Sequence, residues 1–197
     1  MAAMDDIMEK LGSDSEARTK WVGVYIGILA VLLAVCGMGG GNAAKDATRA
    51  NIEASNTWAF FQAKNIRRQT LRISIDDLEI RLTDPNIAPA TRAAIAKKIA
   101  EHKATVARLT SEPDTGEGLN ELSVKAKTLE VERDIALRKD PYFDWSEALL
   151  QIAIVLASVH LITGSLPLLA ASGGLGALGT LLLLNGFTLL VRLPLLG

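Results

Sequence analysis

Cysteine is almost missing from this sequence. Cys36 is the only one in 197 residues, so no disulfide can close within one chain. Histidine is nearly as scarce, and His102 and His160 with one thiol cannot complete a structural zinc tetrahedron. Neither sign of charge is in excess: 21 Lys+Arg against 22 Asp+Glu leave a formal net charge of −1. A chain built to neutralise phosphates needs clustered cations, so nucleic acid is not an expected partner. Aromatic residues are only 5% of the chain, which makes the knot of Trp58, Phe60 and Phe61 stand out.

What is present is segregation. Mean hydropathy is +0.25 although 22% of residues are charged, so apolar and charged residues occupy different stretches. Residues 1–20 form a polar, locally acidic N-terminal tail (Asp5, Asp6, Glu9, Asp14, Glu16) that closes on Arg18 and Lys20. Residues 21–40 then run without a charge. At 1.5 Å per residue, about 20 such residues cross a hydrocarbon core about 30 Å thick. A cleavable signal peptide would have a basic start and a shorter apolar core, so 21–40 is predicted to be a transmembrane helix.

A second apolar block begins near Trp145 and is broken at Thr163-Gly164-Ser165-Leu166-Pro167. Those residue types make turns, and proline at a helix start loses no hydrogen bond. The block therefore divides into two spans, 145–163 and 167–192, joined by a tight hairpin. Asp144 and Glu147 stand at cap and N3 positions for a helix starting there.

Between the first and second spans, residues 41–144 are charged, alanine-rich and free of strand-like alternation. Leu71, Ile75, Leu78 and Leu82 fall at i, i+4, i+7 and i+11, a seam for another helix. Ala47, Ala54 and Phe61 repeat at seven, as do Ile52, Ala59, Ile66, Ile73 and Ile80. A turn at Thr83-Asp84-Pro85-Asn86 precedes a second helix carrying Ile95, Ile99, Val106 and Leu109, which ends at residues 111–116. A third, near 118–139, carries Leu119, Leu122, Ala126 and Leu129 and leads to Asp140-Pro141. None has a stripe wide enough for a globular core, so coiled-coil packing is expected. The predicted fold is all-α: three transmembrane helices and an extramembrane, coiled-coil-like helical domain between the first and second.

Candidate chemistry is thin. Asp76-Asp77 and Glu130/Glu132/Asp134 are carboxylate pairs on charged helices, where solvated faces matched to Arg72, Arg81 or Arg133 are the ordinary case. His102 sits on the stripe between Ile99 and Val106, and His160 lies close enough to the hairpin to be interfacial. Asn185, inside the third span, needs a partner across helices or on a headgroup. Small residues four apart let membrane helices approach closely. They occur as Gly23/Gly27 in the first span, and as Ser172/Gly176/Thr180 and Gly173/Ala177 in the third. The glycines at 173–179 lack the Lys-Ser/Thr of a phosphate loop. No residue set points to catalysis, a cofactor or a metal, and the chain is expected not to be an enzyme.

One segment carries a resemblance. Ala54, Ser55, Trp58, Phe60, Phe61, Gln62, Ala63 and Lys64 resemble the Trp-aromatic-Gln-Ala-Lys segment of a bacterial membrane family, domain of unknown function 4337. Glu132 to Asp134, followed by Ala148 to Ser158, is similar to that family's second hallmark. The chain departs from it in having no basic residue at Gly164-Ser165-Leu166. Arg18 and Lys20 favour a cytoplasmic N-terminus, while Arg133, Arg138, Lys139 and Arg192 pull the other way. The resemblance implies the bacterial inner membrane, with the N-terminus inside and the helical domain periplasmic. The expected role is a structural or assembly protein forming homo-oligomers in the bilayer. The alternatives are an accessory subunit docked on partner membrane subunits of an energy-transducing complex and, more remotely, a channel or transporter using Gln151, Ser158, His160 and Asn185.

Overall fold

The computed structural model describes residues 2–193, with side chains from residue 19 onward. The acidic cluster predicted in the tail thus lies outside the described side chains. Four helices account for almost all of the described chain: α1 (Ala2–Leu82), α2 (Pro89–Thr110), α3 (Leu119–Thr163) and α4 (Leu166–Thr188). The fold is all-α, and α1, α3 and α4 each contain a stretch apolar and long enough to cross a membrane. Contacts divide the chain into two units, Met1–Ala47 with Ile135–Gly197, and Thr48–Asp134.

In the first unit, α1 buries Val22, Leu29, Cys36 and Ala43, each seven residues after the last. A strict repeat of seven keeps one helix face turned toward a partner. Leu29, Cys36 and Ala43 cluster with Phe143, Leu150 and Ala153 of α3 and Leu183 of α4. The α3–α4 hairpin closes at Gly164, whose φ of +67° suits a residue without Cβ, and its N–H bonds the His160 carbonyl at 2.8 Å.

The structure corrects the expected helix start at residue 145. Asp144 caps nothing, because α3 runs without interruption from Leu119 through Pro141. Proline there removes one intrahelical bond, to the carbonyl four residues back, and crowds that turn. Tyr142 and Phe143, 3% and 2% exposed, are packed beside it and hold the helix in line. Tertiary packing overrides the local turn signal.

The second unit is made of α1 from Thr48 onward, α2 and the start of α3. Both partners run antiparallel to α1, since their residue numbers fall as those of α1 rise. Lys103 of α2 pairs with Glu79 at 2.7 Å, and Arg92 donates to the carbonyls of Leu82 and Asp84. For α3, Glu117 just before it meets Lys64, Glu130 meets Trp58 and Arg133 meets Asn51. The predicted seam lies here: Ile75 is buried, with Leu71, Leu78 and Leu82 half-buried, and α2 buries Ile99 and Leu109.

Candidate functional site

The aromatic segment of α1 is a clamp between helices. Trp58 lies half-buried, and its Nε1–H donates to Glu130 Oε1 of α3 at 2.9 Å. Its indole meets Phe61 edge-on, with centroids 5.3 Å apart. Lys64 occupies a seam position, seven residues on from buried Thr57, and keeps only 15% of its side chain exposed. An ammonium so placed needs acceptors. It finds the Glu117 carbonyl at 2.6 Å, the Glu117 carboxylate at 3.2 Å and the Phe60 ring, 4.7 Å to the centroid. Gln62 and Ala63 face solvent.

Sequence reading missed the partners in this clamp. Glu130 is one of three carboxylates that the sequence presents as a solvated face, and Glu117 lies just before a helix. The available signal was Lys64 itself, a cation on a seven-residue row of otherwise small or apolar residues. Beyond the clamp, Glu121 closes the 111–118 loop: Ser111 Oγ donates to one carboxylate oxygen at 2.6 Å and the Glu112 N–H to the other at 3.2 Å. The Ser111 hydroxyl, followed by the Glu121 N–H, holds this carboxyl below its ordinary range.

In the first unit, hydroxyls and glycines join the helices. Ser172 Oγ of α4 donates to the Ala153 carbonyl of α3 at 2.7 Å, and Tyr25 OH of α1 donates to the Ser172 carbonyl at 3.0 Å. Ser146 Oγ donates to the Gly179 carbonyl at 2.7 Å, and Cys36 Sγ to the Phe143 carbonyl at 3.1 Å. A Cβ on Gly176 would meet Tyr25 and Leu29, and one on Gly179 would meet Leu150. These close approaches serve contacts within one chain. Thr180 bonds only its own helix, to the Gly176 carbonyl.

Gly23, Gly27 and Gly173, by contrast, have nothing within 4 Å of the place a Cβ would take, and Ala177 is exposed. An open apolar groove of about 350 Å³ runs past Gly173, lined by Trp21, Val22, Tyr25 and Leu169. Asn185 takes a partner that neither sequence expectation named. Its amide exchanges two hydrogen bonds with the Val191 backbone, 2.7 and 2.9 Å, folding the segment after α4 back on its last turn. His160 Nδ1 donates to the Ser165 carbonyl at 2.8 Å beside the hairpin, and His102 is half-buried on α2. Among the described residues, no group of three His, Cys, Asp or Glu side chains could hold a metal.

Three membrane-length apolar helices, hydroxyl-to-carbonyl ties between them and a charged helical unit define a multi-pass α-helical membrane protein. Within that class the chain belongs to the family described as domain of unknown function (DUF4337), whose profile matches residues 18–189. No curated protein and no solved structure matches it.

Proposed function

We propose that the chain is a non-catalytic structural protein of the bacterial inner membrane that assembles with copies of itself. The observation behind this reading is the outer face of α1 in the membrane. Gly23 and Gly27 stand open there beside exposed Val24 and Ile28. Membrane helices associate where small residues let backbones approach, because lipid offers no hydrophobic drive between apolar side chains. The family segment fits a structural role: Trp58 bonds Glu130 of α3, and Lys64 bonds Glu117 in the loop before it.

The deciding experiment is the mass of the detergent-extracted particle with all co-purifying chains identified. A multiple of the protomer alone is expected; foreign subunits in fixed ratio make the chain an accessory subunit instead. The N-terminus is proposed to be cytoplasmic and the helical unit periplasmic. Exposed Asp114, replaced by cysteine in a Cys36→Ser background, reports on this without disturbing the Ser111–Glu121 tie. Labelling of cells with a permeable outer membrane and an intact inner one by an impermeant maleimide is expected. Labelling only after lysis reverses the orientation.

A further inference from the structure

In the second unit α1 has two apolar faces, and only one has a partner. The seam positions 71, 75, 78 and 82 turn toward the antiparallel partner. At 100° per residue, the row Ile52, Ala59, Ile66, Ile73 and Ile80 lies about 110° to 170° round the helix from the mid-line of that seam, Ile73 and Ile80 being the most nearly opposite it. The four isoleucines are 54%, 67%, 69% and 69% exposed, and Ala59 is exposed too. A solvated helix face would carry Lys, Glu or Gln at such positions. The spacing also suits a helical partner. An unsupercoiled helix lets a strict repeat of seven drift about 20° per heptad, so a row lying on a flat bilayer surface has no reason to keep it. A helix wound around another helix does.

We infer that this row is the seam of a parallel, in-register pairing between two copies of the chain, an inference that rests on the self-assembly proposed above. With the isoleucines at heptad position a, β-branched side chains fill the a layers, which is the a-position half of the two-stranded parallel pattern. The flanking positions then fall g to e′ as Asn51–Asn56, Trp58–Ala63, Asn65–Thr70 and Arg72–Asp77. The single charged pair joins opposite signs, and no like charges meet across these positions. Arg72 and Asp77 are both exposed, and Asp77 already holds Arg81 at 3.1 Å, leaving carboxylate oxygen for a second cation. The d positions within α1, Ser55, Gln62, Gln69 and Asp76, are all polar, so the isoleucine layers alone supply apolar contact, and Asp76 opposes the pairing by facing its own copy.

The contact is small. From Ile52 to Ile80 the row is about 42 Å long, and a helix is about 10–12 Å wide, so each copy contributes about 400–500 Å². Both sides together reach about 1,000 Å², the lower edge of a specific interface. Confinement in one bilayer raises the effective concentration enough for such a contact to form.

The test is disulfide trapping in native membranes with the full-length chain carrying Cys36→Ser. Ile66→Cys and Ile80→Cys are each expected to form a homodimer under mild oxidation, because equivalent a positions bring Cα atoms within disulfide range. Ala54→Cys, on the buried face, is expected to give none. Arg72→Glu is expected to lower trapping at position 80 about two- to fivefold, and adding Asp77→Arg to restore it. Asp76→Asn is expected to raise it. If Ile80→Cys is trapped only with co-expressed Ile52→Cys, the pairing is antiparallel and the inference falls. If no row position is trapped although the extracted particle is a protomer multiple, the seam is wrong and self-assembly stands. A particle of protomer mass removes both.

Discussion

Phe143 supplies the sharpest quantitative test of the membrane unit. Its ring is 2% exposed and lies between the backbone of α1 at Gly39 and Gly40 and that of α4 at Gly186, with Phe187 edge-on at 5.0 Å. A Cβ at residue 39 would stand 2.5 Å from Cε1 and 2.8 Å from Cζ. Ordinary contact needs the ring to retreat by about 1 Å, but the position a Cβ would take on Gly186 is already only 3.0–3.2 Å from the same ring. With no room on the far side, Gly39→Ala should carry an overpacking cost of about 1–3 kcal/mol. The same exchange improves helix propensity by about 1 kcal/mol, so the net loss alone is ambiguous. Gly37→Ala removes the ambiguity: nothing lies within 4 Å of its Cβ position, so it shows the propensity gain without the clash. The difference between the two variants is the clash itself. Unfolding in mixed micelles, followed by helicity as SDS is titrated in, measures both midpoints. Repeating the pair in a Phe143→Leu background should shrink the difference by about 1 kcal/mol or more, since contacting residues couple. Equal midpoints for Gly39→Ala and Gly37→Ala, or a difference unchanged by Phe143→Leu, would refute the socket.

Three further outcomes are expected. Ile75→Asp places an unpaired carboxylate in the α1 seam of the second unit and should destabilise it by more than about 3 kcal/mol, read as faster amide exchange across 71–82 and 95–109. Trp58→Phe keeps an aromatic ring in the clamp but loses the indole N–H bond to Glu130 and part of the packed surface, costing about 1 kcal/mol or more, and a Glu130→Gln change made on top of it should add little. Glu121 titrates below its ordinary range when folded, so its contribution is complete above the unfolded carboxylate pKa of about 4.3 and is lost as pH falls through the folded value. Protection of the 111–122 amides, measured against the intrinsic exchange rate at each pH, should therefore fall toward pH 3 in the parent, and Glu121→Gln should lack that step.

Length and charge make the spans legible from the chain alone, because bilayer thickness fixes how many apolar residues a helix must carry. The α3–α4 hairpin is legible for the same kind of reason: Gly164 and Pro167 leave few options at that point of the chain. The helix through Pro141 is not, since what straightens it is the burial of Tyr142 and Phe143 against helices far away in sequence. The glycines show the limit most clearly. Gly176 and Gly27 look alike as members of small-residue pairs, yet Gly176 admits Tyr25 and Leu29 while Gly27 admits nothing. Periodicity identifies a face that can be approached closely and says nothing about which helix approaches. Partners of single polar groups were equally hidden: Asn185 satisfies itself on backbone six residues ahead, and Lys64 on a loop more than fifty residues on.

The order of elements also bears on how the protein is made. The first unit is interrupted in sequence by the whole of the second, so α1 is complete long before α3 and α4 exist. Cys36 and Phe143 are 107 residues apart and Tyr25 and Ser172 are 147 apart, so at about 5–20 residues per second a ribosome takes about 5–30 s to supply the partners. For that interval the first span is a lone helix in the bilayer, with the Tyr25 hydroxyl and the Cys36 thiol still waiting for Ser172 and Phe143. Since α4 follows the other helices and carries Ser172, Gly179 and Gly186, the three-helix bundle cannot close until α4 has been made. A nascent chain stalled before residue 166 would expose to the membrane's quality-control proteases every polar group that α4 exists to satisfy.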